Sequence, residues 1–255
     1  MSPDAEWGTL MDVSQLPVED GFRLRGQQRT RLETFVDAAF AFSLTLLVIF
    51  YNELPDTVAE LRGALRRVPT FAVCFVLLSL FWAAHNRWSR RYGLEDAKST
   101  VLSLAFVLVV LVYVYPLRMV VSSGLALLTG GFVPSELGMD RAQWMLDLQT
   151  AFIVYATGFG MLSWLLWRMN AHALRRADAL ALDATELAQT RAEIGAYVLM
   201  TVCSFASVVL SLVLLAVPLA WLNHFTVGLP MWMYSVMGML LWWHRARQVR
   251  EAKPA

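Results

Sequence analysis

Six long apolar runs alternate with short polar and charged segments along the chain. An α-helix rises about 1.5 Å per residue, so each run is long enough to cross a hydrocarbon layer of roughly 30 Å. A backbone inside lipid must satisfy its own hydrogen bonds, which excludes an open sheet. The pattern therefore predicts an all-α membrane protein with six transmembrane helices, near residues 31–52, 68–88, 99–121, 142–167, 193–217 and 226–244.

The polar segments complete the predicted organisation. Residues 1–29 form a cytosolic arm that we expect to be partly disordered, and residues 248–255 form a cytosolic tail. The six spans make one transmembrane domain over residues 30–247. Alanine and leucine after the fourth span are strong helix formers and predict a cytosolic helical extension over residues 168–182.

Two helix starts carry a capping signal. Asp140 is followed three residues later by Gln143, and Asp183 is followed by Glu186. An acidic residue with Glu or Gln at this spacing is typical of a capping box, in which the two side chains satisfy backbone N–H groups reciprocally. These pairs predict the starts of the fourth and fifth helices.

Composition and charge agree with a membrane protein and orient it. Hydrophobic residues make up 58% of the chain, charged residues 16%, and the mean hydropathy is +0.52, which is too apolar for an ordinary soluble domain. Basic residues mark the cytoplasmic side of membrane proteins. Sixteen of the 21 Lys and Arg flank one set of helix ends, which places both termini in the cytoplasm: Arg23, Arg25, Arg29, Arg31, Arg87, Arg90, Arg91, Lys98, Arg168, Arg175, Arg176, Arg191, Arg245, Arg247, Arg250 and Lys253.

The first apolar run contains an aspartate, Asp37, that a bilayer does not tolerate without a partner. At 100° per residue Asp37 lies roughly opposite a stripe that runs along the same helix. The stripe consists of Arg31, Phe35, Ala38, Phe42, Thr45 and Ile49, with Leu46 on its flank. Asp37 should therefore face protein rather than the stripe.

Depth in the membrane suggests partners for Asp37. It lies about 9 Å in from Arg31, and the second helix returns to the same level at His85 and Asn86, where the third helix begins near Ser103. These residues predict a buried polar cluster near the cytoplasmic end. Two roles stay open: the cluster orders the first three helices, or a histidine beside a carboxylate senses protons.

With these features the sequence resembles the transmembrane protein 175 family of potassium channels, in its prokaryotic form with one six-helix repeat per chain. The resemblance spans residues 30–250 and rests on the pattern Arg31-x-x-x-Phe35-Val36-Asp37, the pair Trp82-x-x-His85 and Pro116 late in the third helix. It implies a homotetramer in a prokaryotic inner membrane, with the first helices lining a central pore for potassium and other monovalent cations.

The resemblance also implies roles for individual residues. The apolar constriction falls at Phe42, Leu46 and Ile49, and Thr45 supplies a hydroxyl layer, so that no carbonyl filter is needed. The structural polar network comprises Arg31, Phe35, Asp37, Trp82, His85, Asn86 and Ser103. The chain departs from the family at Val36, where serine is usual, and at Leu117 and Arg118 after Pro116.

Other functions fit the sequence less well. Residues 127–135, LLTGGFVPS, faintly resemble a potassium filter but place one glycine too early. A proton-coupled secondary transporter would show internal repeats and broken helices, and it remains the alternative together with a non-conducting scaffold. The chain lacks the motifs of membrane enzymes and metal sites. We therefore expect no enzyme activity, cofactor, metal or nucleic acid, and a potassium ion only as the permeant species.

Overall fold

The computed structural model of the chain describes residues 15–49, 56–137, 143–218, 221 and 223–251. Two short strands pair as an antiparallel hairpin, β1 (Val18–Glu19) and β2 (Phe22–Arg23). The helices of the described residues follow: α1 (Arg31–Ile49), α2 (Val58–Leu65), α3 (Val68–Tyr92), α4 (Ala97–Leu128), α5 (Trp144–Arg175), α6 (Ala184–Ala216), α7 (His224–Val227) and α8 (Leu229–Glu251).

Four of the described helical segments are long and apolar enough to cross a membrane. They are α2 continued by α3, then α4, α5 and α6. The predicted all-α membrane fold is thereby confirmed. The first and sixth predicted spans correspond to α1 and α8, and residues 50–52 of the first lie outside the described residues. Six as the number of spans stays a prediction.

The helices form a bundle in which α4 and α5 are central. On one side α1 packs against α3 and α4, and on the other side α8 packs against α6. Aromatic rings join four of these helices in the core, with centroid separations between 5.3 and 6.4 Å: Phe81, Phe106, Tyr113, Tyr155, Phe159 and Tyr234. The arrangement leaves α1 at the edge of the bundle.

The predicted cytosolic extension over residues 168–182 is wrong beyond Arg175. There α5 ends, and residues 176–181 form successive turns in which Ala181 has a φ of +47°. The turns expose backbone carbonyls that a continuous helix would use internally. Arg25 from the N-terminal arm donates to one of them, the carbonyl of Leu180, at 2.8 Å.

The described part of the N-terminal arm, residues 15–29, packs on the bundle, and partial disorder of the arm stays a prediction. Phe22 is completely buried, with its ring edge-on to Tyr92 at 5.4 Å. A single buried aromatic in a short polar segment carries no helix or strand periodicity, which explains why the sequence pattern did not predict this packing.

The two predicted helix starts differ in outcome. At the start of α6 the capping box of Asp183 and Glu186 is confirmed, since each side chain accepts from the backbone N–H of the other. At the start of α5, Asp140 lies outside the described residues. Gln143 occupies the N-cap there and makes no side-chain capping bond.

Candidate pore helix and its anchoring network

The first helix begins at a local capping box. The backbone N–H of Glu33 donates to Thr30 Oγ1 at 3.1 Å, and the N–H of Thr30 donates to Glu33 Oε2 at 3.1 Å. These bonds satisfy backbone groups that the first turn of a helix leaves unpaired. They fix the position along the chain at which α1 begins.

Two faces of α1 have opposite environments within the bundle. The covered face consists of Val36, Phe40, Ser43 and Leu47, all buried against the neighbouring helices. The uncovered face is wider than the predicted stripe and consists of Arg31, Thr34, Phe35, Ala38, Ala41, Phe42, Thr45 and Val48. Large apolar side chains on an uncovered helix face indicate contact with lipid or with another protein surface.

Two of the four predicted pore residues fall on the uncovered face. Phe42 is 55% exposed, and Thr45 is exposed with its hydroxyl donating to the carbonyl of Ala41 at 3.0 Å. Leu46 is half-buried at the edge of the face. Ile49 ends α1, and its side chain lies outside the described residues.

The predicted polar cluster divides into two separate pairs. Trp82 Nε1 donates to Asp37 Oδ1 at 2.8 Å. His85 Nε2 lies 3.0 Å from Ser103 Oγ, and its ring stacks on Phe106 at 5.5 Å. The structure thus brings Asp37 to the tryptophan of the second predicted span, and it pairs the histidine with the following helix.

The other members of the predicted network lie outside these pairs. Asn86 is half-buried next to His85 in sequence, while Arg31 and Phe35 are exposed on the uncovered face of α1. Val36, which replaces the family's usual serine, is buried in the covered face and packs as an apolar side chain. The covered face therefore relies on packing at this position.

Two further anchors of α1 were not predicted. Ser89 Oγ donates to Glu33 Oε1 at 2.6 Å, which ties the N-terminal end of α1 to α3. At the C-terminal end of α1, the buried Arg118 donates to the carbonyl of Leu47 at 3.4 Å and to Glu136 at 2.6 Å. The T-x-x-E spacing from Thr30 to Glu33 is a capping signal that the sequence predictions missed, and nothing in the local sequence connects Glu33 with a serine 56 residues away.

A charged cluster joins α4 to α5 at their predicted cytoplasmic ends. Asp96 caps α4 through the backbone N–H of Ser99 at 2.8 Å, and it also contacts His172 Nε2 at 2.7 Å and Arg176 at 3.0 Å. Desolvation raises the pKa of Asp96, but the hydrogen bonds from Ser99 and His172 outweigh it and hold the pKa at about 2. Asp96 is therefore a permanent anion at neutral pH.

The chemistry available along α1 is apolar packing, the hydroxyl groups of Thr34 and Thr45, and a few hydrogen bonds. Among the described residues, no group of three or more His, Cys, Asp or Glu side chains could hold a metal ion. Cys74 and Cys203 are buried, unpaired thiols. The uncovered face of α1 is suited to contact lipid or another protein surface, and its described side chains carry no reactive groups for covalent chemistry.

Comparison with known proteins gives matches of three kinds: a family model, a relative and a solved structure. The family described as endosomal/lysosomal potassium channel TMEM175 matches residues 31–116. A protein of Marivirga tractuosa named potassium channel is 31% identical over 198 residues, which is 75% of this chain and 78% of that protein. The crystal structure of a variant of the potassium channel MtTMEM175, in complex with a nanobody fusion protein, superposes with a TM-score of 0.76 and 26% identity. It covers 92% of this chain and 100% of that one.

Proposed function

This chain belongs to the TMEM175 family of potassium channels, and from that premise we propose that its potassium path runs along the uncovered face of α1. Four copies of the chain surround the path, with both termini in the cytoplasm of a prokaryotic cell and the helices in its inner membrane. Basic helix ends on one side support this orientation.

The observation that carries the proposal is the exposure of Phe42 in the middle of an apolar helix. The ring is 55% exposed, whereas Phe40, two residues earlier in the same helix, is only 3% exposed. A large side chain turned away from its own bundle needs another environment. In a tetramer with α1 at the axis, four such rings meet and form the constriction.

The neighbours of Phe42 fit the same arrangement. Thr45 lies one turn further out and presents a hydroxyl, with Leu46 and Ile49 adjacent to it along the helix. An apolar constriction blocks ions by excluding water and conducts when it is wetted. The hydroxyl oxygens of Thr45 give a dehydrating cation a polar contact next to that barrier.

The width of the uncovered face supports an oligomer. A pore needs only a narrow stripe, whereas Thr34, Ala41 and Val48 widen the uncovered face on one flank. Small side chains such as those of Ala41 and Thr34 at a helix surface allow close approach of a neighbouring helix in a membrane. We assign this flank to the contact between adjacent subunits.

The segment that resembles a carbonyl filter is built differently. Leu127 and Leu128 are the last residues of α4, and Gly130 and Gly131 adopt positive φ angles of +59° and +85° in the turn that follows. The hydroxyl of Thr129 accepts from the backbone N–H of Val133 at 3.1 Å and closes the turn. The helix terminus and closed turn favour a path along α1 over a carbonyl filter.

The test is potassium flux from liposomes that contain the purified protein, comparing wild type with Phe42→Ala under potassium and under sodium gradients. Trimming the ring should raise potassium flux roughly tenfold, as expected when about 1.4 kcal/mol is removed from a barrier. The preference for potassium over sodium should fall at the same time.

Two results would contradict the proposal. Equal flux from wild type and Phe42→Ala would remove Phe42 from the constriction. No flux from either protein, in vesicles shown to hold assembled oligomers, would overturn the simple pore and leave the proton-coupled transporter or the scaffold as the explanation.

A further inference from the structure

The N-terminal hairpin is built into the inner end of the bundle. Phe22 lies between two guanidinium groups, with Arg91 4.7 Å and Arg25 5.7 Å from the ring centroid. Such cation–π contacts stabilise a buried ring further. The side chain that anchors the hairpin thereby contacts the last turn of α3.

The backbone that follows the hairpin lies directly against the end of α3. The N–H of Gly26 donates to the carbonyl of Arg90 at 3.0 Å, and a Cβ on Gly26 would lie 2.6 Å from the carbonyl oxygen of Ser89. Gly93 caps α3 with a φ of +57°, and a Cβ there would lie 3.0 Å from Gly26 N. Only glycine allows the two backbones to approach this closely.

The hairpin also binds the start of α6. Glu186 has a completely buried side chain, and it accepts from the backbone N–H of Arg23 at 2.8 Å and from the guanidinium of Arg25 at 2.8 Å. Arg25 in turn is only 9% exposed. A charge-assisted hydrogen bond to a buried carboxylate is costly to break, because separating the two groups leaves a buried charge without its partner.

A second ion pair on the hairpin is more exposed. Arg23 pairs with Asp183, whose side chain is 42% exposed. The pKa of Asp183 is lowered by the backbone N–H of Glu186 and by Arg23. An exposed ion pair contributes little to stability, so Glu186 is the principal attachment of the hairpin to α6.

From this attachment to α1 the chain is short. Gly26 is fixed to α3, α1 begins at Arg31, and residues 27–29 between them are exposed. A displacement of the hairpin, or of the turns over residues 176–181 that Arg25 contacts, therefore pulls directly on the first turn of α1. The same turn is held to α3 by Ser89 and Glu33.

We propose that residues 18–30 are a strap that positions the inner end of the pore helix, with Arg25 and Glu186 as its positioning residues. The inference rests on the proposed path along α1. By fixing Gly26 to α3 shortly before α1 begins, the strap acts together with the bond between Ser89 and Glu33 and keeps that end of α1 away from the axis. It thereby sets the fraction of channels that conduct and links this fraction to the connection between α5 and α6.

The experiment lengthens the strap without disturbing either of its attachments. Four residues, Gly-Ser-Gly-Ser, are inserted between Gln28 and Arg29, which are exposed, and the matched control carries the same insertion just before Gln15. A flexible insertion of this length adds about 11 Å of reach. Potassium flux, the potassium-to-sodium flux ratio and the thermal unfolding midpoint are measured for full-length protein.

We expect the insertion in the strap to lower potassium flux roughly fivefold, the lower end of typical coupling between sites. The flux ratio, the unfolding midpoint and the flux of the control should match wild type. A purely structural role would move the midpoint instead. Flux within experimental error of wild type would overturn the strap while leaving the pore intact, and a silent wild type would overturn the pore and the strap together.

A pair of substitutions locates the attachment. Glu186→Gln keeps the shape of the side chain and removes the charge that Arg25 requires, so flux should fall as it does for the insertion. Asp183→Asn is the control, because asparagine retains the N-cap and only the exposed pair with Arg23 is lost. Equal effects of the two substitutions on flux would contradict the role of Arg25 and Glu186.

Discussion

The two faces of α1 are made from similar residues and have opposite surroundings. Phe40 and Ser43 are buried between α1 and its neighbours, whereas Phe42 and Thr45 are exposed. Phe40 packs on Phe106 with a centroid separation of 5.9 Å. In the described bundle no aromatic contact covers Phe42. Residue type therefore does not distinguish the covered from the uncovered face of this helix, and position around the helix does.

The hydroxyl groups show the same contrast. Ser43 Oγ donates to the carbonyl of Ala39 at 2.8 Å, and Thr45 Oγ1 donates to the carbonyl of Ala41 at 3.0 Å. Both therefore use their proton within α1. Ser43 is fully buried, whereas Thr45 lies on the exposed face, so only Thr45 can present its oxygen to an outside partner. The faces differ in what their atoms can still bind.

The largest expected effect is a difference in the free energy of unfolding between variants of the two phenylalanines. Phe40→Ala leaves a cavity against Phe106 and should lower the free energy of unfolding by roughly 2 kcal/mol or more. Phe42→Ala removes an exposed ring and should change it by about 0.5 kcal/mol or less. Thermal unfolding of both variants in the same detergent measures the difference. Equal destabilisation would mean that both faces are packed, and would contradict the placement of Phe42 at the pore.

A smaller effect separates the two hydroxyls by selectivity. Thr45→Val keeps the branched shape and removes the exposed oxygen, so the potassium-to-sodium flux ratio should fall roughly threefold, less than 1.4 kcal/mol of discrimination. Ser43→Ala is the matched control, because its hydroxyl is buried and serves only α1. If Ser43→Ala lost selectivity while Thr45→Val kept it, the hydroxyl layer would lie on the covered face, which would contradict the proposal.

The helical pattern was sufficient to predict much of α1. A period of 100° per residue placed Phe35, Phe42 and Thr45 on one face, and all three are exposed. Val48 lies outside the predicted stripe, although it is 47% exposed. The sequence shows which residues share a face, but the extent of cover depends on how α3 and α4 lie beside α1. That arrangement is set by packing over the whole bundle.

The anchors of α1 were harder to predict for a different reason. Glu33, Ser89 and Arg118 are polar residues whose partners lie far away in the chain. Depth along two helices limits the candidates for a partner but does not choose between them. Trp82 and His85 lie one turn apart on α3, and Asp37 bonds to Trp82. Because each residue is rotated by about 100° from the one before it, the rotation of α3 about its axis determines which of the two side chains faces Asp37.

The smallest effect tests the single bond at the edge of the two faces, between Trp82 and Asp37. A double-mutant cycle with Trp82→Phe and Asp37→Leu should give a coupling of about 0.6 kcal/mol, the average for hydrogen bonds within membrane proteins. The unfolding midpoints of the two single variants and the double variant, measured in one detergent, provide the value. Additive effects would show that the bond contributes nothing.

A substitution of Asp37 distinguishes the two roles of the predicted polar cluster, ordering the helices or sensing protons. His85 lies 3.0 Å from Ser103, and Asp37 accepts from Trp82. Asp37→Asn keeps an acceptor for the indole N–H and removes the carboxylate, so the pH dependence of flux should stay unchanged while the protein assembles normally. A shifted pH profile would mean that Asp37 and a titrating partner act together during conduction. The hydrogen bond would then report only one state of a proton-sensitive channel.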